Sequence, residues 1–88
     1  MTMQYQGEAF GHVNPATATA EDLLDLALKY SLGRGVAQDN VTAHMWLNLA
    51  AMKGSRSALQ YRSELSREMS ASQVAEALRQ ARALLTVH

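Results

Sequence analysis

The glycines at positions 33 and 35 constrain the fold of this sequence more than any other feature. The segment Gly33-Arg34-Gly35 separates two apolar patterns of helical spacing, and glycine tolerates the left-handed backbone conformations that a chain reversal requires. The first pattern consists of Leu23, Leu26, Ala27 and Tyr30. We therefore predict a hairpin of two helices, the first ending at about Leu32, with Val36 as an apolar plug for the turn.

Polar residues with capping chemistry mark the starts of both helices. Thr19 can cap the free amides of the first helix, while Asp22, three residues on, completes a box-like pair. Asp39 stands where its side-chain oxygen would cap the second helix, and its charge suits the positive end of the helix dipole. The second helix is predicted over residues 40 to 53, because Gly54 follows it.

A third helix is predicted after Gly54, capped by Ser55 or Ser57. Its predicted apolar face consists of Ala58, Tyr61, Leu65 and Met69. Helical spacing therefore continues beyond the hairpin.

A fourth helix has two local start signals. Ser70 and Gln73 form a capping box, and Met69 and Val74 take the positions of a hydrophobic staple. The predicted buried stripe consists of Val74, Ala77, Leu78, Ala81 and Leu85. The fold class expected is all-α, with four helices.

The first eighteen residues form no helical or alternating pattern and read as an arm or loop. Tyr5, Phe10 and Val13 are the apolar residues that can let this arm pack. Because 88 residues can enclose only one modest core, residues 19 to 88 are predicted to form one helical domain.

Charge and composition remove several classes of function. Eight basic residues balance eight acidic ones, so no global field attracts nucleic acid or an anionic membrane. The absence of cysteine excludes disulfides and thiolate chemistry. No stretch is apolar enough to span a bilayer, and residues 1 to 13 lack the features of a signal peptide. The cytoplasm is the expected location, unless a leader preceded residue 1.

The residues between Leu26 and Ala58 form one connected pattern. It comprises Leu26, Ala27, Tyr30, Gly33, Gly35, Val36, Asp39, Ala43, Trp46, Ala50, Ala51, Gly54 and Ala58. This pattern resembles the Sel-one-like repeat, a relative of the tetratricopeptide repeat. The family has glycine where this chain has Ala27, so a small residue is kept. Small side chains let antiparallel helices approach closely, and large aromatic rings fill the gaps beside them.

The resemblance covers about residues 22 to 58 and implies a short right-handed solenoid. Repeats of this family stack into superhelices whose surfaces hold other proteins, which implies an adaptor or scaffold role. Residues Met69 to Ala77 are also similar to the closing helix of small bacterial family members. Because a single repeat hairpin leaves an apolar face open, the third and fourth helices are expected to act as a C-terminal cap.

Two lines of residues are candidates for contact with a partner protein or peptide. The first consists of Met45, Leu49 and Met52, which lie on the side of the second helix away from Trp46. It can either pack on other parts of this chain or form a partner or self-association surface. The second consists of Asp25, Lys29 and Leu32, because first helices line the inner surface of such repeats. A mild charge difference between the two halves of the chain leaves a homodimer open.

Catalysis and cofactor binding find no support in the sequence. The histidines at 12, 44 and 88 have no ligand-type partner at metal-binding spacing, and no nucleophile, base and orienting group come together. Neither a metal nor a cofactor is predicted, and no small-molecule substrate is evident. The alternative to protein binding is a nucleic-acid-binding or regulatory helical domain. It would use the arginines of the third and fourth helices, which are Arg56, Arg62, Arg67, Arg79 and Arg82.

Overall fold

The computed structural model describes residues 13–86, which fold into four α-helices and contain no strand. The helices are α1 (Ala20–Leu32), α2 (Asn40–Met52), α3 (Arg56–Ser66) and α4 (Ala71–Thr86). The predicted all-α class with four helices is therefore confirmed. The right-handed superhelical arrangement remains a prediction.

The predicted caps of α1 and α2 are both present. Thr19 Oγ1 accepts a hydrogen bond from the amide of Asp22 at 3.0 Å, and Asp22 Oδ2 accepts one from the amide of Thr19 at 3.3 Å. At the start of α2, Asp39 Oδ1 accepts from the amide of Thr42 at 3.1 Å. These bonds satisfy amides that the first turn of a helix leaves without an intrahelical partner.

The turn between α1 and α2 uses both glycines in left-handed conformations, with φ of 72° at Gly33 and 74° at Gly35. The amide of Asp39 then donates to the carbonyl of Tyr30 at 3.0 Å, which closes the reversal. A Cβ on Gly33 would lie 3.3 Å from the Cβ of Gln38, whereas one on Gly35 would meet nothing within 4 Å. The nearby Gln38 therefore limits the side chain that position 33 can carry, in addition to the limit set by its positive φ.

Helix α2 is the centre of the fold, because it packs against α1, α3 and α4. The eight residues from 43 to 50 are all buried, as expected for a helix that is surrounded by other helices. Met45 and Leu49 belong to this core, and Leu49 is only 2% exposed. Met52, one turn further, is 66% exposed. Of the two interpretations of this line, packing within the chain is thus correct for Met45 and Leu49.

The residues of the repeat pattern occupy the interior and the turns. Seven are buried in the core: Leu26, Ala27, Tyr30, Ala43, Trp46, Ala50 and Ala58. Val36 and Ala51 are half-buried and pack against them. Tyr30 and Trp46 share this one core cluster, so the predicted combination of small and large side chains is present.

Helices α3 and α4 begin as predicted but bury narrower faces than predicted. Ser55 caps α3 by accepting from the amide of Ala58 at 3.0 Å. Tyr61 was expected in the core and is instead 42% exposed, because it lies on the flank of the face that Ala58 and Leu65 turn toward α2. Met69 follows the end of α3 and is half-buried against the core.

On α4, the predicted Ser70–Gln73 capping box is present, with its two hydrogen bonds at 2.9 and 3.1 Å. The residues of α4 that belong to the core or pack against it are Ala77, Ala81 and Leu84, and Val74 is half-buried. Leu78 and Leu85, which were predicted in the buried stripe, are exposed. The expected stripe was wider than one neighbouring helix can cover, since α4 packs mainly on α2.

The last residues of the predicted N-terminal arm pack on the helices. Pro15 is buried, and Val13 is half-buried against the core. Lys53 Nζ, at the end of α2, donates to the carbonyls of Ala16 and Ala18 at 3.2 and 2.7 Å. The expected packing of Val13 is confirmed, whereas Tyr5 and Phe10 lie outside the described residues.

Candidate interaction surface

A solvent-open groove lies between α1 and α3, over the start of α2, and has a volume of about 300 Å³. We call it the α1–α3 groove. Its α1 and turn side is formed by Leu28, Ser31, Gln38 and Asn40. Its floor and opposite side are formed by Leu47, Tyr61, Glu64, Leu65 and Glu68. Leucines on the floor with polar and aromatic groups at the edge suit the binding of a side chain from another molecule.

The rotation of α1 determines which of its residues reach this groove. Leu26, Ala27 and Tyr30 face the core, so Leu28 and Ser31 lie on one flank of the helix. Successive residues of a helix are turned by about 100°. Asp25 and Lys29 consequently lie on the opposite flank.

The sequence candidates Asp25, Lys29 and Leu32 are therefore not gathered at the α1–α3 groove. Asp25 and Lys29 are exposed and line a separate depression of about 420 Å³ between α1 and the segment from Val13 to Ala18. Leu32 is exposed at the end of α1 and lines neither depression. Asp25, Lys29 and Leu32 follow one another at i, i+4 and i+7 on one exposed side of α1, and their contact with a partner remains a prediction.

The α1–α3 groove continues into an adjoining recess on the outer side of α3. The recess has a volume of about 330 Å³ and is lined by Ser57, Gln60, Tyr61 and Glu64. Tyr61 and Glu64 belong to both depressions. These two residues therefore form the centre of one continuous surface along α3.

Sequence reasoning did not identify the α3 side of this surface. The helical spacing predicts Tyr61 on the apolar face of α3, and it singles out neither Glu64 nor Glu68. The spacing of Ser57, Tyr61, Glu64 and Glu68, at i, i+4, i+7 and i+11, places them along one side of the chain. That spacing was visible in the sequence, but the position of α1 opposite it was not.

A chain of polar side chains crosses from α3 into the otherwise apolar interior around α2. Arg62 Nη1 donates to Asn48 Oδ1 at 2.8 Å. Asn48 Nδ2 lies 3.0 Å from His44 Nδ1, and His44 Nε2 lies 2.8 Å from Ser66 Oγ. His44 and Asn48 are both buried, so these bonds supply the partners that buried polar groups require.

The direction of these hydrogen bonds follows from Arg62, since a guanidinium can only donate. Its bond orients the amide oxygen of Asn48 toward α3 and the amide NH₂ toward His44. Nδ1 of His44 must then accept, so the proton of the neutral imidazole is on Nε2, which donates to Ser66. In a doubly protonated His44, Nδ1 would also carry a proton. It would then face the NH₂ group of Asn48 as a second donor, and the hydrogen bond between them would be lost.

The surroundings of His44 also favour its neutral form. Burial lowers the pKa of His44, because the charged imidazolium loses its hydration, and the nearby positive charge of Arg62 lowers it further. The side chain is only 2% exposed. His44 is therefore a neutral structural residue that joins α2 to α3.

The spacing of the four residues is a signal that the sequence analysis missed. His44 and Asn48 stand four residues apart on α2, and Arg62 and Ser66 stand four residues apart on α3. Each pair lies on one helical face. Two such polar residues within a helix that is apolar on all sides indicate buried groups that need partners.

Two of the five arginines that follow Gly54 have polar side-chain partners among residues 13–86. Arg62 binds Asn48, and Arg79 forms an ion pair with Glu76 on α4. Arg56, Arg67 and Arg82 are exposed. The charges of Arg62 and Arg79 are thus directed toward partners within the chain.

The described residues contain no group of three or more side chains suited to hold a metal ion. His12 and His88 lie outside those residues, so the structure places only His44 among the three histidines. Within residues 13–86, no helix combines the length and the apolar character that a membrane span requires.

Burial raises the pKa of Tyr30, and the carboxylate of Asp39 adds to this effect.

Comparison with known proteins identifies no relative of this chain. No protein-family model, no curated protein and no solved structure matches this chain.

Proposed function

We propose that this chain is a protein–protein interaction or scaffold module of the Sel-one-like repeat type, which binds a partner protein or peptide on its helical surface. In this proposal the molecule acts by binding, and none of its residues has a catalytic role. The bound segment lies in the α1–α3 groove.

The observation that carries the proposal is the position of Tyr61. This ring is 42% exposed and stands between the α1–α3 groove and the recess beside it. Tyrosine combines a large apolar body with a polar tip and is enriched at the centres of protein interfaces. Beside it, the half-buried Leu28 provides apolar surface for a partner side chain to cover, above a floor formed by the buried Leu47 and Leu65.

The repeat pattern gives independent support. Residues 22 to 58 resemble a repeat whose helices are used in other proteins as binding surfaces. The hairpin of α1 and α2 is followed by α3, as in an array of such repeats. In these arrays each repeat packs on its neighbours, so the surface of the terminal helices remains available for a partner. Exposed leucines on α3 and α4, namely Leu59, Leu78 and Leu85, are further apolar area of this kind.

Nucleic-acid binding is the alternative, and only the exposed Arg56, Arg67 and Arg82 favour it. Their charges are spread over two helices, and the chain has no net positive charge. Phosphate contacts lose affinity steeply as the salt concentration rises, whereas contacts in an apolar groove do not. The steepness of the salt dependence therefore separates the two functions, because several phosphate contacts give a steep fall in affinity and a single exposed charge pair gives a shallow one.

A displayed library of random peptides, panned against the immobilised protein, tests the proposal. Enriched peptides are synthesised and titrated against the wild type, Tyr61→Ala and Leu78→Ala. Leu78 is exposed to about the same degree as Tyr61, at 39%, but lies on α4 outside the groove. Removal of an aromatic side chain from the centre of an interface typically lowers the affinity about tenfold.

The expected result is enrichment of peptides that bind Leu78→Ala as well as they bind the wild type, and Tyr61→Ala about tenfold more weakly. If no peptide is enriched, protein binding is the wrong function for this chain. If the enriched peptides bind both variants equally, the binding surface is elsewhere. Light scattering of the free protein reports in parallel whether it forms a homodimer.

A further inference from the structure

The α1–α3 groove and its adjoining recess carry charge of one sign. Glu64 lines both depressions and Glu68 lines the groove. No lysine or arginine occurs among the residues that line either of them. The other lining side chains are neutral, so the surface along α3 is acidic although the whole chain has no net charge.

The carboxylates of this surface have no cationic partner among residues 13–86. The ion pair in that part of the chain joins Arg79 to Glu76 on α4. Arg62 is on the same helix as Glu64, but its guanidinium is turned toward α2, where it binds Asn48 at 2.8 Å. The charges of Glu64 and Glu68 are thus left for a group from another molecule.

Tyr61 adds a second feature that suits a cation. The ring is exposed and lies at the junction of the groove and the recess, next to Glu64. A guanidinium or ammonium group is attracted to the face of an aromatic ring as well as to a carboxylate. The long aliphatic stems of arginine and lysine can cover apolar surface such as that of Leu28 and Leu65.

We infer that the α1–α3 groove binds a basic segment of a partner protein, with an arginine or lysine placed over Tyr61 and against Glu64. This inference rests on the proposed function and adds the chemistry of the partner. An aliphatic or aromatic side chain next to the basic residue fills the part of the groove floored by Leu47 and Leu65. The basic side chain pairs with a carboxylate that faces solvent, so this contact weakens as salt rises.

The peptide library distinguishes this inference from the proposed function. Peptides enriched on the wild type are expected to share an arginine or lysine beside an apolar residue. Their affinity is expected to fall about twofold to fivefold for Glu64→Gln, as for the loss of an exposed charge pair. For Glu64→Lys, which replaces attraction by repulsion, the fall is expected to be larger, about tenfold.

Glu21→Lys is the matched control. Glu21 is an exposed glutamate in the first turn of α1 and lines neither depression. The substitution changes the net charge by the same amount as Glu64→Lys, so equal affinities for wild type and Glu21→Lys attribute any loss to the groove. Circular dichroism establishes that each variant is folded. If Glu64→Lys does not fold, Glu64→Gln still provides the test.

Scrambled peptides of the same composition measure the part of the binding that depends on charge alone, and they are expected to bind several-fold more weakly. Enriched peptides without a shared basic residue overturn the inference and leave the proposed function in place. Basic peptides that bind wild type, Glu64→Gln and Glu64→Lys alike overturn it as well. If no peptide is enriched at all, the proposed function fails and the inference fails with it.

Discussion

Arg62 on α3 donates a hydrogen bond of 2.8 Å to the amide oxygen of Asn48 on α2. Through this bond an exposed helix is tied to the buried central helix, and the amide of Asn48 is turned so that it also meets His44. A polar connection of this kind fixes the position of α3 more specifically than apolar contacts do, because its geometry is directional.

Truncation of Asn48 tests this connection. Asn48→Ala leaves the His44 ring and the Arg62 guanidinium without their partner, and the expected loss in the free energy of unfolding is about 1–3 kcal/mol. Urea denaturation followed by circular dichroism gives this value for Asn48→Ala, Arg62→Ala and the double variant. A coupling of about 0.5 kcal/mol or more is expected from the cycle.

Arg82→Ala is the control for these variants, because Arg82 is exposed on α4. It is expected to change stability by no more than about 0.5 kcal/mol. Strictly additive effects of Asn48→Ala and Arg62→Ala would show that the two side chains do not stabilise each other.

Stability is expected to depend on pH through His44. The pKa of His44 is lowered in the folded protein, so below the usual imidazole value of about 6.5 the unfolded chain binds a proton that the folded chain excludes. The stabilisation is complete above that pH and is lost as the pH falls, by up to about 1.4 kcal/mol per pH unit. Urea denaturation between pH 8 and about 5.5, where most carboxylates are still ionised, measures the slope.

His44→Gln isolates this effect, since glutamine does not titrate while His12 and His88 are retained. The slope below pH about 6.5 is expected to be smaller in the variant than in the wild type. Equal slopes would mean that another group is responsible.

Charge insertion distinguishes the buried from the exposed part of the line Met45, Leu49 and Met52. Leu49→Glu places a carboxylate where the side chain is 2% exposed and is expected to cost more than about 4 kcal/mol, which unfolds most of a domain this small. Met52→Glu, at a side chain that is 66% exposed, is expected to cost less than about 1 kcal/mol. Helical circular dichroism and thermal melting report both. A folded Leu49→Glu protein would contradict the central position of α2.

Alanine at the two turn glycines separates backbone strain from crowding. Both Gly33 and Gly35 have positive φ, so alanine is expected to cost about 1–2 kcal/mol at either position. Only at Gly33 would the new Cβ also crowd another residue, the Cβ of Gln38 at 3.3 Å. Gly33→Ala is therefore expected to melt at a lower temperature than Gly35→Ala. The reverse order would show that space near Gln38 does not limit the turn.

The local features of this fold could be read from the residues alone. The capping pairs Thr19–Asp22 and Ser70–Gln73 and the left-handed glycines at 33 and 35 involve only neighbours in sequence. Their geometry depends on hydrogen bonds and backbone angles within a few positions, so helix starts and the reversal are largely independent of the rest of the chain. The small residues between the helices likewise predicted close packing of α1 on α2.

Exposure depended on contacts between residues that are distant in sequence. Tyr61 and Leu78 follow the helical period of their buried neighbours, yet both are exposed, since the width of a buried stripe is set by how many helices surround it. Met45 and Leu49 are covered for the converse reason, because α2 has neighbours on three sides. The α1–α3 groove and the connection from Arg62 to His44 exist only where two helices meet. No single helix contains the information that places its partner opposite it.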